Sequence, residues 1–426
     1  MSMKNNLEIM SRIAVFRTAE TEAGTPSESS GVSVDLDSGS GIKSILASAH
    51  DGDTVHGSEL PARIVASHRE ASGTLSQKRA KPDFLAFVLA YFFGECVSGQ
   101  VSGTAYRHEI FPAGGPYLPT FTAVQRRGAD LFTERLAGNY IEGFTLSLAE
   151  GWVSLSADVI GTGAREVNYE RESVTAPANA PSITLTANAV EGSTAAARLA
   201  NVYRVRARDA GSEAWQTLDV VSVSADAPAV IAFAKALGET GDDVEYQVDY
   251  IPAEPDWCAL PDPVDESPLK LTEARVVVDG WFDGSDLMGG EELKAEVMGF
   301  TITGKNNLEL KHFPGESGPA AVAARGGLSL AVSLTESLRD TVRAWQCDHP
   351  ETELVSLALK VRGAEIEPGS GAYFGGEIIF PRCGILAAPV EVQGKRLALA
   401  GDLVVMDDGT YGGVIVRCFN RQTGYL

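Results

Sequence analysis

Little in this chain invites chemistry. Its five cysteines, Cys96, Cys258, Cys347, Cys383 and Cys418, are scattered with no CxxC spacing, which excludes the usual zinc clusters and disulfide-exchange sites and reads as buried free thiols. The six histidines include no HExxH. His50 and His56 share the polar loop SAHDGDTVHG with Asp51 and Asp53, where a metal is a lesser reading than a solvated loop. Neither GxSxG nor a serine–histidine–acid order is present. Paired carboxylates for sugar hydrolysis follow no local spacing rule and stay open as an alternative. The sequence predicts no enzyme, no cofactor and no metal site.

Long apolar runs are also missing. The most apolar stretch, FLAFVLAYFFG from Phe84 to Gly94, is far shorter than the roughly 20 residues that cross a bilayer. No apolar leader follows MSMKNNLEIMSR, so synthesis in a reducing cytoplasm without a membrane anchor is the expectation. Basic side chains are in deficit: 35 Lys and Arg stand against 57 Asp and Glu, a net charge of -22. Duplex DNA would meet a field of its own sign, which disfavours specific nucleic-acid binding. The same charge serves plain solubility or an acidic wall past which nucleic acid slides.

Two motifs imitate sites. GFTITGK, Gly299 to Lys305, has the spacing of a phosphate loop, but Asn306 follows where Ser or Thr would hold magnesium, and the alternating Phe-Thr-Ile-Thr predicts a strand. VVVDGWFDGSD and DLVVMDDGT gather Asp279, Asp283 and Asp286, and Asp402, Asp407 and Asp408. Neither fits a twelve-residue calcium loop, and solvated turns are the expectation.

What the chain does have is apolar content, 44% over 426 residues, enough for real cores in two or three domains. Residues 1–60 open with the strand candidate RIAVFR and continue as a glycine- and serine-rich arm and loop. Residues 61–166 carry the extended segment ARIVASHREASGTLSQ, a helix in KPDFLAFVLAYFFGE started by Pro82 or Asp83 and stopped by Gly94, then TAYRHEIF, LPTFTAVQRRG and the alternating pair NYIEGFTLSLAEG and WVSLSADVIGTG. Residues 167–267 read as a small β insert with SITLTANAV, VYRVRARDA, TLDVVSVSA, AVIAFAKAL and VEYQVDYIPA, closed by the proline-rich PAEPDWCALPDPVDESP. Residues 268–426 alternate again through LTEARVVVDGWF, ELKAEVMGFTITG and NNLELKHF.

An internal repeat links the second and fourth regions. At an offset of 254, SGTLSQKRAKPDFLAFVLAYFF lies opposite GGLSLAVSLTESLRDTVRAWQC, matching Gly73 with Gly327, Phe84 with Leu338, Val88 with Val342 and Tyr91 with Trp345. At an offset of 235, VQRRG meets LKVRG. A duplicated β unit argues for assembly, because closed rings remove the strand edges that invite uncontrolled pairing.

The runs YRHEIFPAG, LPTFTAVQRRGA and NYIEGFTLSLAEGWVSLSADVIGTG resemble the first half of tail tube proteins of long-tailed bacteriophages. VMGFTITGKNNLELKHFPGESG, ARGGLSLAVSLTESLRD and YFGGEIIFPR are similar to the second half. The resemblance spans about 60–165 and 270–385. It implies a mainly β fold of tandem two-sheet β-sandwich or half-barrel units, each with a flanking short α-helix, plus the small β insert, closing into a β-barrel channel on oligomerisation. It implies a homo-oligomer, a ring of three with pseudo-sixfold symmetry favoured over a hexamer, stacked with copies of itself into a virion tail and assembled in the host bacterial cytoplasm. Its partners would be the tape measure protein and tail terminator or baseplate proteins, and DNA would pass through the lumen without specific binding. The channel or ring-interface positions implied are Tyr140, Phe144, Leu146, Trp152, Leu155, Val159, Phe300, Ile302, Tyr373, Phe374, Ile378 and Phe380. Helices at Asp83 to Phe93 and Thr335 to Gln346 would cover the outer sheet face, and the segment before residue 60 would cross between rings. Alternatives are a minor ring at the tube end or baseplate, and a surface carbohydrate-binding or adhesion module.

Overall fold

The computed structural model describes residues 11–27, 31–50, 64–128, 132–149, 151–209, 214–235, 243–253, 255–293, 297–311, 322–337, 354–393 and 396–426. The protein is mainly β, with several sheets and little helix, and among the described residues no sheet closes into a barrel. In chain order the elements are β1 (Arg12–Phe16), β2 (Gly31–Val34), β3 (Gly41–His50), β4 (Ile64–Gln77), α1 (Pro82–Phe93), β5 (Gly94–Ser102), β6 (Ala105–Pro112), β7 (Phe121–Arg127), β8 (Phe132–Ala149) and β9 (Trp152–Val167). There follow β10 (Glu170–Pro177), β11 (Ser182–Thr184), α2 (Ala195–Ala200), β12 (Val202–Asp209), β13 (Gln216–Leu218), β14 (Val220–Val223), β15 (Val230–Phe233) and β16 (Asp243–Tyr250). The last third holds β17 (Ala274–Val278), β18 (Trp281–Phe282), β19 (Leu287–Met288), β20 (Glu291–Glu292), β21 (Val297–Lys305), β22 (Leu308–Lys311), β23 (Val322–Arg325), β24 (Ser329–Ser337), β25 (Val355–Glu365), β26 (Tyr373–Ala387), β27 (Val390–Gln393), β28 (Arg396–Val405) and β29 (Ile415–Asn420).

The chain forms two compact units. The larger comprises Ile13–Ala123, Leu136–Ala164 and Pro261–Leu426, and the smaller is built mainly from Val124–Arg135 and Arg165–Leu260. In the larger unit one path of antiparallel pairings runs β3–β4–β9–β8–β21–β24–β28–β27. A second runs β5–β6–β29–β26–β25–β17–β20. The long strand β26 joins them, pairing with β29 through Gly375–Ile379 and with β28 through Cys383–Ala387.

Helix α1 lies in the core of this unit, with every residue buried. Phe92 stacks edge-on to Phe144 of β8 at 4.7 Å, while other residues of the helix pack on β5, β6, β26 and β29. A flanking helix over an outer face was the expectation; a helix apolar on all sides is instead stable only when surrounded. Pro82 stands in the first turn, and Gly94 ends the helix with φ 97°, the left-handed conformation that glycine adopts without a Cβ penalty. Lys81 at the N-cap supplies no side-chain hydrogen bond. The Asp83 N–H, left without a helical partner, instead donates to Glu266 Oε2 at 2.9 Å.

Two further expectations change. Residues 12–50, read as an arm with one strand, carry three strands, because β2 and β3 are held by ladder bonds to β1 and β4 that do not depend on apolar side chains. The helix expected from Thr335 to Gln346 does not begin at Thr335. Thr335–Ser337 finish β24, whose ladder to β28 continues to the Ser337–Ala398 pair, and 338–346 lie outside the described residues. With them go the repeat partners Leu338, Val342 and Trp345, and also Cys347.

The smaller unit pairs a four-stranded sheet, β10–β16–β12–β13, with a three-stranded sheet, β11–β15–β14. Alternate residues interdigitate between them, among them Ile183, Val205, Ile231, Phe233, Val244, Tyr246 and Val248.

Candidate functional site

The implied channel positions fall mainly inside the larger unit. Tyr140, Phe144 and Leu146 on β8, Leu155 and Val159 on β9, Phe300 and Ile302 on β21, and Ile378 and Phe380 on β26 are all buried. Trp152 is half-buried under the Arg79 guanidinium, 5.0 Å from its ring. Phe374 is half-buried beside Arg421 at 5.4 Å, and Tyr373 is 40% exposed. Side chains in this core cannot line a surface; the positions alternating with them do.

Those alternate positions form an exposed face rich in hydroxyls. Register places Thr74 opposite Asp158 and Ser76 opposite Ser156. Thr145 stands opposite Thr303, and Ser147 opposite Thr301. Thr301 then meets Ser333, and Ser333 meets Asp402. The hydroxyls bond across strands: Ser147 Oγ to Thr301 Oγ1 at 3.1 Å, Thr74 Oγ1 to Asp158 Oδ1 at 3.4 Å, and Ser333 Oγ to Asp402 Oδ1 at 2.8 Å. The charged side chains that register places on this face include Lys43 opposite Ser72, Glu70 opposite Ile45, Lys305 opposite Ser329, Asp158, Asp402 and, at the β27–β28 end, Arg396 and Glu391. On this face cations and carboxylates are mixed, Lys43, Lys305 and Arg396 standing with Glu70, Asp158, Glu391 and Asp402. Chemically the face offers short hydroxyls bonded across strands, with its arginine, Arg396, out at the β27–β28 end.

Other groups singled out in the sequence resolve into structural roles. GFTITGK lies within β21, and Asn306 is buried, its Nδ2 donating to Phe92 O at 2.9 Å and Ile141 O at 3.2 Å. Asp283 caps the turn between β18 and β19, accepting from the Asp286 N–H at 2.8 Å, the Ser285 hydroxyl at 2.7 Å and the Ser285 N–H at 2.7 Å. Those bonds hold its carboxyl down at about 2. Cys258, Cys383 and Cys418 are buried and Cys96 is partly buried; burial pushes the Cys383 thiol up to about 12. His56, Asp51 and Asp53 lie outside the described residues, and among the described residues no cluster of His, Cys, Asp and Glu could hold a metal ion. No helix among the described residues is long and apolar enough to cross a membrane.

Sequence reasoning missed two arrangements. Ser67, His68 and Glu70 form a hydroxyl–imidazole–carboxylate chain, with 3.0 Å from Ser67 Oγ to Nδ1 and 3.1 Å from Nε2 to Glu70. It stands on an exposed part of β4, where water competes for every bond. The second is the hydroxyl face itself, whose signal was present as the opposite parity of the same period-two alternation. Compared with known proteins, the chain matches no family model and no curated protein.

Proposed function

We propose that the chain is a self-assembling structural protein, a tail tube protein of a long-tailed bacteriophage, whose subunits join edge to edge into stacked rings. The observation that carries this reading is the path β3–β4–β9–β8–β21–β24–β28–β27, a broad sheet with one face in the core, a hydroxyl-rich face in water, and apolar residues exposed at both ends. At one end Ile45, Leu46, Ile64 and Val65 are exposed on β3 and β4; at the other, Val390, Val392 and Leu397 on β27 and β28. Exposed strand edges with apolar side chains are templates for pairing with another chain.

The tandem-unit reading draws support from two matching ladders. Hairpin β3–β4 leads to β9 through seven pairs from Ala71–Gly161 to Gln77–Leu155, and hairpin β21–β24 leads to β28 through seven pairs from Ala331–Val404 to Ser337–Ala398. Matching ladders end to end sets Ala71 against Ala331 rather than Arg325, a later register than the offset of 254. Two sheet segments per chain favour a ring of three with pseudo-sixfold symmetry, closing into a barrel only on assembly. The hydroxyl face then lines the lumen, where short hydroxyl side chains and mixed charges let DNA pass without specific binding. Further copies, the tape measure protein and terminator or baseplate proteins are the partners, in a virion tail assembled in the host cytoplasm.

Val392→Asp and Ile64→Asp place charge on the two ends of the path, where neither side chain supports the core. Sedimentation velocity over increasing concentration is expected to show large assemblies for the natural sequence and single-chain mass for either variant, with thermal midpoints unchanged because exposed substitutions move stability by only about 0.5 kcal/mol. Variants that assemble as the natural sequence does would remove these ends from the interface.

A further inference from the structure

The smaller unit turns a sheet face of different character to solvent. Along β12, Val205 and Ala207 are buried, so Arg204, Arg206 and Arg208 share the outer face. Pairing with β16 and β10 sets three rows: Arg171, Asp249 and Arg204; Ser173, Gln247 and Arg206; Thr175, Glu245 and Arg208. Thr217 of β13 extends the middle row. Aromatic rings stand at both ends. Tyr169 and Tyr203 lie 6.0 Å apart beside the first row, and Trp215 lies under Arg206 and Arg208 at 5.3 and 4.6 Å.

The outer rows are internally neutralised. Asp249 accepts from Arg171 Nε at 2.5 Å and Arg204 Nε at 2.8 Å, and Glu245 accepts from Arg208 Nε at 2.8 Å. The middle row is not. Arg206 lies over the Trp215 ring and donates through Nη2 to the neutral amide oxygen of Gln247; it has no carboxylate partner among the described residues, and its Nε is buried without a hydrogen bond. A half-exposed guanidinium with no carboxylate beside it is open to an anion, with which its hydrogen bonds become charge-assisted. Among the described residues four guanidiniums stand against three carboxylates, Asp249, Glu245 and, one row further, Asp243, which leaves this face locally positive in a chain of net charge -22.

We propose that this face binds an acidic saccharide, with Arg206 holding a carboxylate of the ligand and the aromatic rings bracketing its sugar residues. The three rows from Arg204 to Arg208, four residue steps along the strand, span about 14 Å, room for a short run of sugars. Between the rings, Ser173, Thr175, Gln247 and Thr217 offer hydroxyl and amide groups suited to a polyhydroxylated ligand. An acidic peptide fits less well, because β12 and β16, which carry Arg206 and Gln247, are bonded on both sides and offer it no main-chain partners there. This binding is independent of ring assembly.

The test uses the full chain and titrates polygalacturonate, with neutral dextran and polyglutamate as controls, by calorimetry. Polygalacturonate is expected to bind, dextran not to bind, and polyglutamate to bind at least tenfold more weakly. Arg206→Gln and Trp215→Ala are each expected to weaken polygalacturonate binding at least tenfold with the thermal midpoint unchanged. With the natural sequence alone, raising salt from about 0.05 to 0.5 M should weaken binding severalfold as the charge is screened. Absence of polygalacturonate binding, equal affinity for polyglutamate, insensitivity to salt, or full binding by a folded Arg206→Gln variant would each overturn the proposal.

Discussion

Replacing Phe144 with alanine is expected to destabilise the larger unit by about 3–5 kcal/mol, the usual loss for a large aromatic core residue. Phe144 is 3% exposed and wedges between Phe92 at 4.7 Å and Phe93 at 6.4 Å. Its cross-strand partner is Gly304, where an added Cβ would sit 2.5 Å from Phe144 Cε1 and 2.6 Å from Phe92 Cζ. Gly304→Val alone should therefore cost about 1–3 kcal/mol by overpacking. In the double variant the valine fills part of the space that the phenylalanine ring leaves, so the two losses should not add. Urea unfolding followed by fluorescence measures all three variants. Strict additivity would mean that Gly304 is not matched to the Phe144 ring.

The second large effect is pH-dependent. Glu266 is 5% exposed, one oxygen accepting the Asp83 N–H at the start of α1 and the other, Oε1, buried without a partner. Burial, reinforced by the Asp83 carboxylate, pushes its carboxyl from 4.5 up to about 7. Because the folded value lies above the unfolded one, the folded protein keeps a proton that the unfolded chain releases across this window. The stabilisation is fully present below about 4.5 and is lost as pH rises through about 7, amounting to about 3 kcal/mol. His108, buried and bonded to Ser98 and Asn420, has its pKa lowered mainly by burial and acts in the opposite sense, losing stability as pH falls. Comparing the natural sequence with Glu266→Gln, which retains an oxygen for the Asp83 N–H, isolates the Glu266 effect. The variant is expected to gain about 3 kcal/mol relative to the natural sequence between pH 4.5 and 8; parallel stability curves would contradict the buried, protonated carboxyl.

The parts of this fold legible in the sequence are those written in local pattern. Pro82 and Gly94 bracket α1, and strict alternation marks β8, β9 and β21. Alternation says that one face is buried but not what buries it: Phe144, Leu155 and Phe300, channel or ring-interface positions only by the resemblance, lie in the core cluster around α1. Strands β2 and β3 hid in a polar segment because main-chain ladders, not apolar side chains, hold them. Thr335 to Ser337 fall in the expected helix but finish the strand instead, because the pairing of Ser337 with Ala398, sixty-one residues away, has no local signature. The guanidinium rows of the smaller unit were likewise out of reach: β12 spells alternate arginines, but their opposition to Asp249, Gln247 and Glu245 appears only once β16 fixes the register.

Electron microscopy of the purified full-length protein in negative stain, averaging end-on views, tests the assembly reading most directly. Hollow rings or tubes with three strong outer lobes are the predicted result. A dispersed, compact single chain at high protein concentration would contradict it.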